Sequence, residues 1–496
     1  MTRPAATPPP RPALFALVAG LLAGLGQAPF GLWLLSLVAF SAGIALVATA
    51  ARPGRVAWCF GAGHFAAALH WIVEPFLVEP EVFGWLAPAG LIGMAGGMAL
   101  FWLAAGLGVR RIAPGPARIA AFAALLALAE LVRAYVMSGF PWAHPGHILI
   151  DTPALALSAI GGPHLLNALV LAAAAALAAL SMARRHLAAA GLLAALALPL
   201  TFLPEPRGPV AGPDAPVVRL VQPNAAQDLK WRPDMIPVFF DRGLSLTAGG
   251  PPVDLVVWPE TALPVLLEDS GPWRAAIAEA ASGATVAVGV QRYPGGRARN
   301  TLAVLDPAGE VTALYDKHRL VPFGEYIPAR GLAAEAGLSG LAATLRGGFW
   351  PGDGPGEIDL GDRLGTVFPM ICYEAIFPQY LRRVDRPDWM LHVTNDAWFG
   401  RLSGPYQHLA LARLRAAESG LPVLRAANTG VSAAIDARGH VLASLPLGEA
   451  GALDAALPPP LPPTPYARTG DLPMAAILLL LAIVAVLAPL RRQTRH

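Results

Sequence analysis

The chain has 496 residues, 55% of them hydrophobic and only 14% charged, with a formal net charge of +3. That composition excludes an ordinary soluble enzyme throughout and points to a membrane protein. The small basic surplus gives no reason to invoke nucleic acid, because it resides in arginine clusters between apolar runs and no basic-aromatic patch accompanies it. The runs lie at about 13–30, 32–51, 56–73, 84–107, 119–137, 164–182, 187–203 and 473–490. Each approaches the roughly 20 residues that a helix needs to cross a bilayer, so about eight spans are expected. Arg3 and Arg11, Arg52 and Arg55, Arg110, Arg111 and Arg118, Arg184 and Arg185, and Arg491, Arg492 and Arg495 fall on alternate connections. By the positive-inside rule this places both ends in the cytoplasm. The first run follows basic residues, but no clear small-residue cleavage site ends it, and it reads as an uncleaved helix.

Domain organisation follows. Residues 1–12 form a cytoplasmic N-terminus, 13–203 a membrane domain with seven helices, 204–216 a Pro-rich linker and 217–457 a globular domain facing away from the cytoplasm. A second linker at 458–472, the last membrane helix at 473–490 and a cytoplasmic tail at 491–496 complete the chain. Within the globular domain short apolar runs at 217–222, 253–258, 285–290, 301–305, 366–371, 389–394 and 422–426 alternate with helical patterns at 271–282 and 405–419. This alternation argues for mixed α/β layers. Asp306-Pro307-Ala308-Gly309 and Asp436-Ala437-Arg438-Gly439 suggest hairpin turns.

Polar clusters stand at the ends of those runs. Glu260 follows Trp258 and Pro259, Lys317 lies in Asp316-Lys317-His318-Arg319, and Cys372 breaks an apolar run in Ile371-Cys372-Tyr373-Glu374. Each has a plainer reading: a surface carboxylate, a chance lysine, a small buried thiol. Two facts weigh against those readings. Lys230 and Lys317 are the only lysines among 36 Lys and Arg residues, and a lysine offers a compact ammonium with a movable pKa that arginine does not. The only other cysteine, Cys59, lies in a distant apolar run, so Cys372 is expected to be a free thiol, a liability outside the cytoplasm for a merely structural residue. The three fit one chemistry: Glu260 as base for the thiol, Cys372 as nucleophile, and Lys317 with the backbone N–H after the nucleophile for the oxyanion of acyl transfer. No metal-spaced cluster or phosphate-binding glycine loop is present in the sequence, and neither metal nor cofactor is expected.

Trp258-Pro259-Glu260-Thr261, then Lys317 to Pro328 (KHRLVPFGEYIP), then Ile371 to Glu374, in this order, resemble the nitrilase (carbon-nitrogen hydrolase) superfamily with its Glu-Lys-Cys triad. VQPNAAQDLKW at 221–231, GFPWAHPGH at 139–147, TNDAWFG at 394–400 and the late membrane helix resemble, more narrowly, the bacterial apolipoprotein N-acyltransferase family. The resemblance implies an αββα sandwich in the periplasm on a multi-pass α-helical membrane domain of the inner membrane. It implies transfer of an acyl chain from a phospholipid through a cysteine thioester, in ping-pong order, to the N-terminal diacylglyceryl-cysteine of an apolipoprotein, the last step of lipoprotein maturation. Carried over by position, it makes Glu260 the base, Lys317 the oxyanion stabiliser and Cys372 the nucleophile. Glu325 and Glu374 become supporting carboxylates and Trp231 a residue at the site entrance. Tyr373 is expected to support the site or touch substrate. Trp398 is either a core aromatic or part of a lipid-facing wall, and Thr394 stands where serine is more usual. The segment 331–350 is either a lid or a packed insertion. A monomer is expected. Two rivals remain at this point: a membrane-tethered hydrolase of small amides, and a transporter whose signature would be buried ionisable residues such as Glu130, Arg133, His64 and His70.

Overall fold

The computed structural model describes residues 11–326, 328 and 348–493, and its contacts divide the chain into two units, Met1–Pro206 with Arg468–His496, and Arg207–Ala467. Of the expected lid or insertion at 331–350, all but the last three residues lie outside the described residues.

The first unit is helical, and each of the eight apolar runs contains a helix: Pro12–Gly24, Trp33–Thr49, Pro53–Ala68, Ala87–Gly108, Pro116–Arg133, Ser158–Met182, His186–Phe202 and Leu472–Gln493. Proline at the start of several sets φ where an N–H would in any case lack a partner. Among the described residues, two helical stretches, Pro80–Gly108 and Pro153–Met182, are long and apolar enough to cross a membrane. A third qualifies if Pro53–Ala68 and His70–Leu77, bent by 51°, are one span. Length and composition thus support two or three spans where about eight were expected. Two of the others have local reasons: the first helix stops at Gly24, ahead of Gly26 and Pro29, and Pro116–Arg133 carries Arg118, Glu130 and Arg133.

Close packing here depends on glycine. A Cβ on Gly63 would lie 2.1 Å from the Leu17 carbonyl oxygen, and one on Gly20 2.1 Å from that of Phe60, so the helices Pro12–Gly24 and Pro53–Ala68 touch backbone to backbone. The buried ionisable residues converge instead of lining a path. Glu130 accepts from Trp102 Nε1 (2.8 Å), Arg133 (2.6 Å) and His144 Nδ1 (2.7 Å). Arg133 also donates to the Trp142 carbonyl (2.9 Å), and His64 Nε2 bonds the Ala143 carbonyl (2.9 Å). Three of the four transporter-type candidates therefore serve to hold the loop at 140–147, whose Phe140, Trp142 and Ala143 carbonyls accept from Arg133 and His64.

The second unit contains two six-stranded sheets. The first has the order β12-β1-β2-β3-β4-β5, with β1 Val217–Gln222, β2 Leu255–Val257, β3 Thr285–Arg292, β4 Arg299–Leu305, β5 Val311–Asp316 and β12 Gly451–Ala456. The second has the order β11-β10-β9-β8-β7-β6, with β6 Ile358–Asp359, β7 Thr366–Ile371, β8 Trp389–Thr394, β9 Val423–Ala427, β10 Ser432–Ile435 and β11 Val441–Leu445. In each, three parallel strands continue into two antiparallel ones. Val218, Leu220, Val257 and Leu302 of the first sheet form one core with Val367, Trp389, Leu391 and Leu424 of the second. The helices Ile236–Ala248 and Gly271–Ala281 cover the opposite face of the first sheet through Phe240, Leu244, Ile277 and Ala281, against Trp258, Val286 and Val288. Gly404–Ser419 is amphipathic only weakly because nearly all of it is buried. All seven expected strands are present, and both expected turns close hairpins: Asp306 Oδ1 accepts from the N–H groups of Ala308 and Glu310, and Asp436 Oδ1 from those of Arg438 and His440.

Candidate active site

Parallel strands end their side chains at one edge, and the site is built from residues just past the ends of β2, β5, β7 and β8. Glu260 follows β2 on a short loop that crosses β3 at Gly289, where a Cβ would meet the Pro259 carbonyl oxygen at 2.3 Å. Any larger residue on β3 would push this loop away. Its carboxylate is fully engaged: Oε1 accepts from Asn300 Nδ2 (2.8 Å) and Lys317 Nζ (3.2 Å), and Oε2 from the Asn395 N–H (2.8 Å).

Lys317 follows β5 and is only 1% exposed. Its main chain is fixed on both sides, its N–H donating to the Asn300 carbonyl (2.8 Å) and its carbonyl accepting from Gly352 (2.9 Å). Its ammonium donates to Glu325 Oε1 (2.8 Å) as well as to Glu260, and Glu325 Oε2 accepts from the Val321 N–H (2.8 Å). Glu325 thus closes its own loop around the lysine.

Cys372 ends β7, buried, with φ +50° in the left-handed region that a β-carbon disfavours. Its sulfur lies within the fields of Glu260 and Lys317 and within hydrogen-bonding reach of the Thr394 side chain. Glu374 does not face the thiol. It accepts from the N–H groups of His318 (2.8 Å), Arg319 (3.1 Å) and Ile371 (2.8 Å) and from the Tyr315 hydroxyl (3.1 Å). One buried carboxylate therefore pins the loop that carries Lys317 to the strand end that carries Cys372.

The charges are interdependent. Burial opposes ionisation of Glu260, but Lys317, Asn300 and the Asn395 N–H outweigh it and hold the carboxyl below its usual range. Burial likewise works against the Lys317 ammonium, yet Glu260 and Glu325 raise its pKa well above the ordinary value. Burial, with Glu260 adding to it, pushes Glu325 up despite Lys317. The Cys372 thiol is driven up by burial and by Glu260, with Lys317 opposing. These shifts favour a carboxylate at Glu260, an ammonium at Lys317 and a protonated thiol at Cys372.

Tyr373 is buried with its ring edge-on to Phe377 at 5.1 Å. Trp231 is 43% exposed and lines a cavity with Lys230, Phe239, Phe240, Trp258 and Pro259, beside the Glu260 loop. The Lys230 ammonium, whose pKa burial lowers to about 8, donates to the Glu260 carbonyl (3.4 Å). Trp398 is 39% exposed on the turn Asp396–Phe399, which rules out the core alternative. Sequence reasoning missed Asn300, which donates to the Glu260 carboxylate. It also missed His392, Arg425 and His408, although a histidine and an arginine inside otherwise apolar strands are themselves a signal of buried polar structure.

Two facing sheets, with a buried carboxylate, ammonium and thiol gathered at the strand ends, define a carbon-nitrogen hydrolase fold. The carbon-nitrogen hydrolase family model matches residues 218–461, and the model of the apolipoprotein N-acyltransferase N-terminal domain matches 19–176. The apolipoprotein N-acyltransferase of Rhodopseudomonas palustris is 38% identical over 97% of this chain and 95% of its own. That of Caulobacter vibrioides is 39% identical over 96% and 94%, and that of Bradyrhizobium diazoefficiens 37% over 96% and 94%. The chain belongs to the apolipoprotein N-acyltransferase family.

Proposed function

We propose that the protein N-acylates the N-terminal S-diacylglyceryl-cysteine of apolipoproteins, using a phospholipid as acyl donor and Cys372 as carrier, in the last step of lipoprotein maturation. The observation that carries this reading is the Lys317 ammonium bonded at once to Glu260 and Glu325 beside a buried free thiol. In the first half, Glu260 takes the Sγ proton and the sulfur attacks the ester carbonyl of the phospholipid. Lys317 offsets the oxyanion, worth about 10²- to 10³-fold for one donor. The oxyanion collapses, the C–O bond breaks, and Glu260 gives the proton to the leaving oxygen, so the lysophospholipid departs as an alcohol and Glu260 is a carboxylate again. In the second half, the α-amino group attacks the thioester and gives its proton to Glu260. The C–S bond then breaks, the sulfur recovers a proton, and the amide product departs. Glu325 and Glu374 act by holding Lys317 and the Cys372 strand end in register.

The membrane unit fits substrates that are both lipid-anchored. In this reading all eight apolar helices associate with the inner membrane, both termini are cytoplasmic, the catalytic unit is periplasmic and the protein acts as a monomer. Trp231, Tyr373 and Trp398 serve as contacts for the acyl chain or for its passage. The test is incubation of the purified protein with phospholipid carrying a labelled acyl chain, beside Cys372→Ala. Hydroxylamine-sensitive label on the native protein alone supports the acyl-enzyme. No label on either, with folding verified and several donors tried, favours hydrolysis of a small amide. Intersecting instead of parallel double-reciprocal lines would count against the ping-pong order.

A further inference from the structure

Behind the nucleophile lies a second polar cluster, not part of the triad. The Cys372 carbonyl oxygen is met by two imidazoles, His392 Nε2 at 3.2 Å from β8 and His408 Nε2 at 3.1 Å from the helix Gly404–Ser419. The two rings stand edge to face, 4.8 Å between centroids. Arg425, opposite His392 in the parallel register of β8 and β9, donates to His392 Nδ1 (2.8 Å). Arg425 Nη1 also lies 3.3 Å from Nε2; the shorter contact makes Nδ1 the acceptor and assigns the proton to Nε2, aimed at Cys372. Asp396 accepts from His408 Nδ1 (2.9 Å), from the Thr394 hydroxyl (2.8 Å) and from Arg425. His408 therefore faces an acceptor at each nitrogen; Asp396 and the Cys372 carbonyl favour the protonated ring, while burial, with Arg425 adding to it, holds its pKa below the ordinary value. His392, Asp396, His408 and Arg425 all have no exposed surface.

Four buried ionisable side chains are a costly way to satisfy one carbonyl, since each would destabilise the interior if left unpaired. What distinguishes this carbonyl is its residue. Cys372 holds a positive φ, a conformation that costs of order 1–3 kcal/mol and persists only where the surroundings over-determine it. Rotating this residue back to an extended conformation would swing its carbonyl away from both imidazoles and carry Sγ away from Lys317 and Glu260. The same peptide plane includes the Tyr373 nitrogen, so fixing the oxygen fixes that plane as well.

We infer that His392 and His408 are positioning residues that clamp the Cys372 carbonyl, with Arg425 and Asp396 setting their protons, and so keep the nucleophile in its reactive left-handed geometry. The clamp rests on the proposed acyl transfer only for the identity of the donor; thiol alkylation reads it independently.

The test uses the full-length protein and two substitutions at His408 that divide its contacts. His408→Gln keeps an amide N–H near the position of Nε2, facing Cys372, whereas His408→Asn keeps one near Nδ1, facing Asp396. Alkylation of Cys372 by iodoacetamide is followed by mass spectrometry of its peptide, and acylation by labelled phospholipid is measured in single turnover. The clamp requires that the Asn variant be slower by about 10-fold or more in both, with donor KM unchanged, while the Gln variant stays close to native. Equal rates in the two variants, or rates that merely track their Tm values, would overturn it. If either variant does not fold, the same pair at His392 replaces it, and failure of all four to fold would also overturn it, by making these histidines elements of stability alone. Normal alkylation in every variant with no acylation even in the native protein would refute the clamp and the acyltransferase reading separately.

Discussion

Replacement of Lys317 by Met should separate the charge balance of the site from its chemistry. The ammonium bonds Glu260 and Glu325 at 3.2 and 2.8 Å, and all three groups are largely or wholly removed from water. Methionine keeps the length of the stem but leaves two carboxylates in one buried site, where both cannot remain ionised. Removing one partner of a buried ion pair costs about 3–5 kcal/mol, which for a unit of this size lowers Tm by roughly 6–20 °C. Acylation should fall further than stability, by about 10²- to 10³-fold for the oxyanion alone, before any loss of base strength at Glu260. The double variant Lys317→Met/Glu325→Gln removes the surplus negative charge, so it should regain most of the Tm and none of the activity. Thermal unfolding in detergent and single-turnover thioester formation measure the two effects. A single variant that acylates at near-native rate, or a double variant no more stable than the single, would refute the charge ledger drawn here.

Other expectations follow from the same geometry. Glu260 is held below the ordinary carboxylate range, so it remains ionised above its lowered pKa, and the acid limb of acylation should lie below the ordinary glutamate value of 4.5; a limb near pH 6 would mean another base. The Cys372 thiol is raised, so its thiolate appears only above the ordinary value of 9.0, and alkylation by iodoacetamide should still be climbing past pH 9 where an activated cysteine would have reached a plateau. Gly289→Ala should cost about 1–3 kcal/mol through the contact with the Pro259 carbonyl and lower acylation beyond its effect on Tm, because what moves is the Glu260 loop. Glu130→Leu strands the Arg133 charge in the helical unit and should cost about 3–5 kcal/mol, seen as a loss of folded protein in detergent, with Arg133→Leu/Glu130→Leu less damaged than either single change.

What could be read from the sequence was what neighbouring residues encode. The strands from β1 to β4 and from β7 to β9 are apolar runs of the right length, and two Asp-x-x-Gly turns fold on their own side chains. β5 was expected only as the far arm of the Asp306–Gly309 hairpin, since its residues alternate between partly buried and exposed, and β12 escaped notice because its six residues pair with β1 more than two hundred positions earlier. Lys317 and Cys372 stood out as candidates because residue choice was unusual: one of only two lysines, one of only two cysteines. Asn300 gave no such sign, since its role exists only when β4 lies between the Glu260 loop and Lys317. The span count was less legible, because apolar composition continues through Gly26, Pro29 and the bend after Ala68, where the helices themselves stop.

The division of labour between lysine and arginine in the catalytic unit has a physical logic that the geometry makes explicit. Arg425 uses a rigid fork to bind Asp396, His392 and the Val431 carbonyl at once, and nothing in that cluster needs to change during turnover. In the proposed reaction Lys317 stands among groups that do change: Glu260 gains and loses a proton, the thiol becomes a thioester, and an oxyanion appears and collapses. A compact ammonium with rotatable donors can follow that charge, whereas a planar guanidinium would have to break paired bonds to do so. The immobile scaffold is thus built from arginine and histidine, and the one cation that must serve a moving charge in this reading of the site is a lysine.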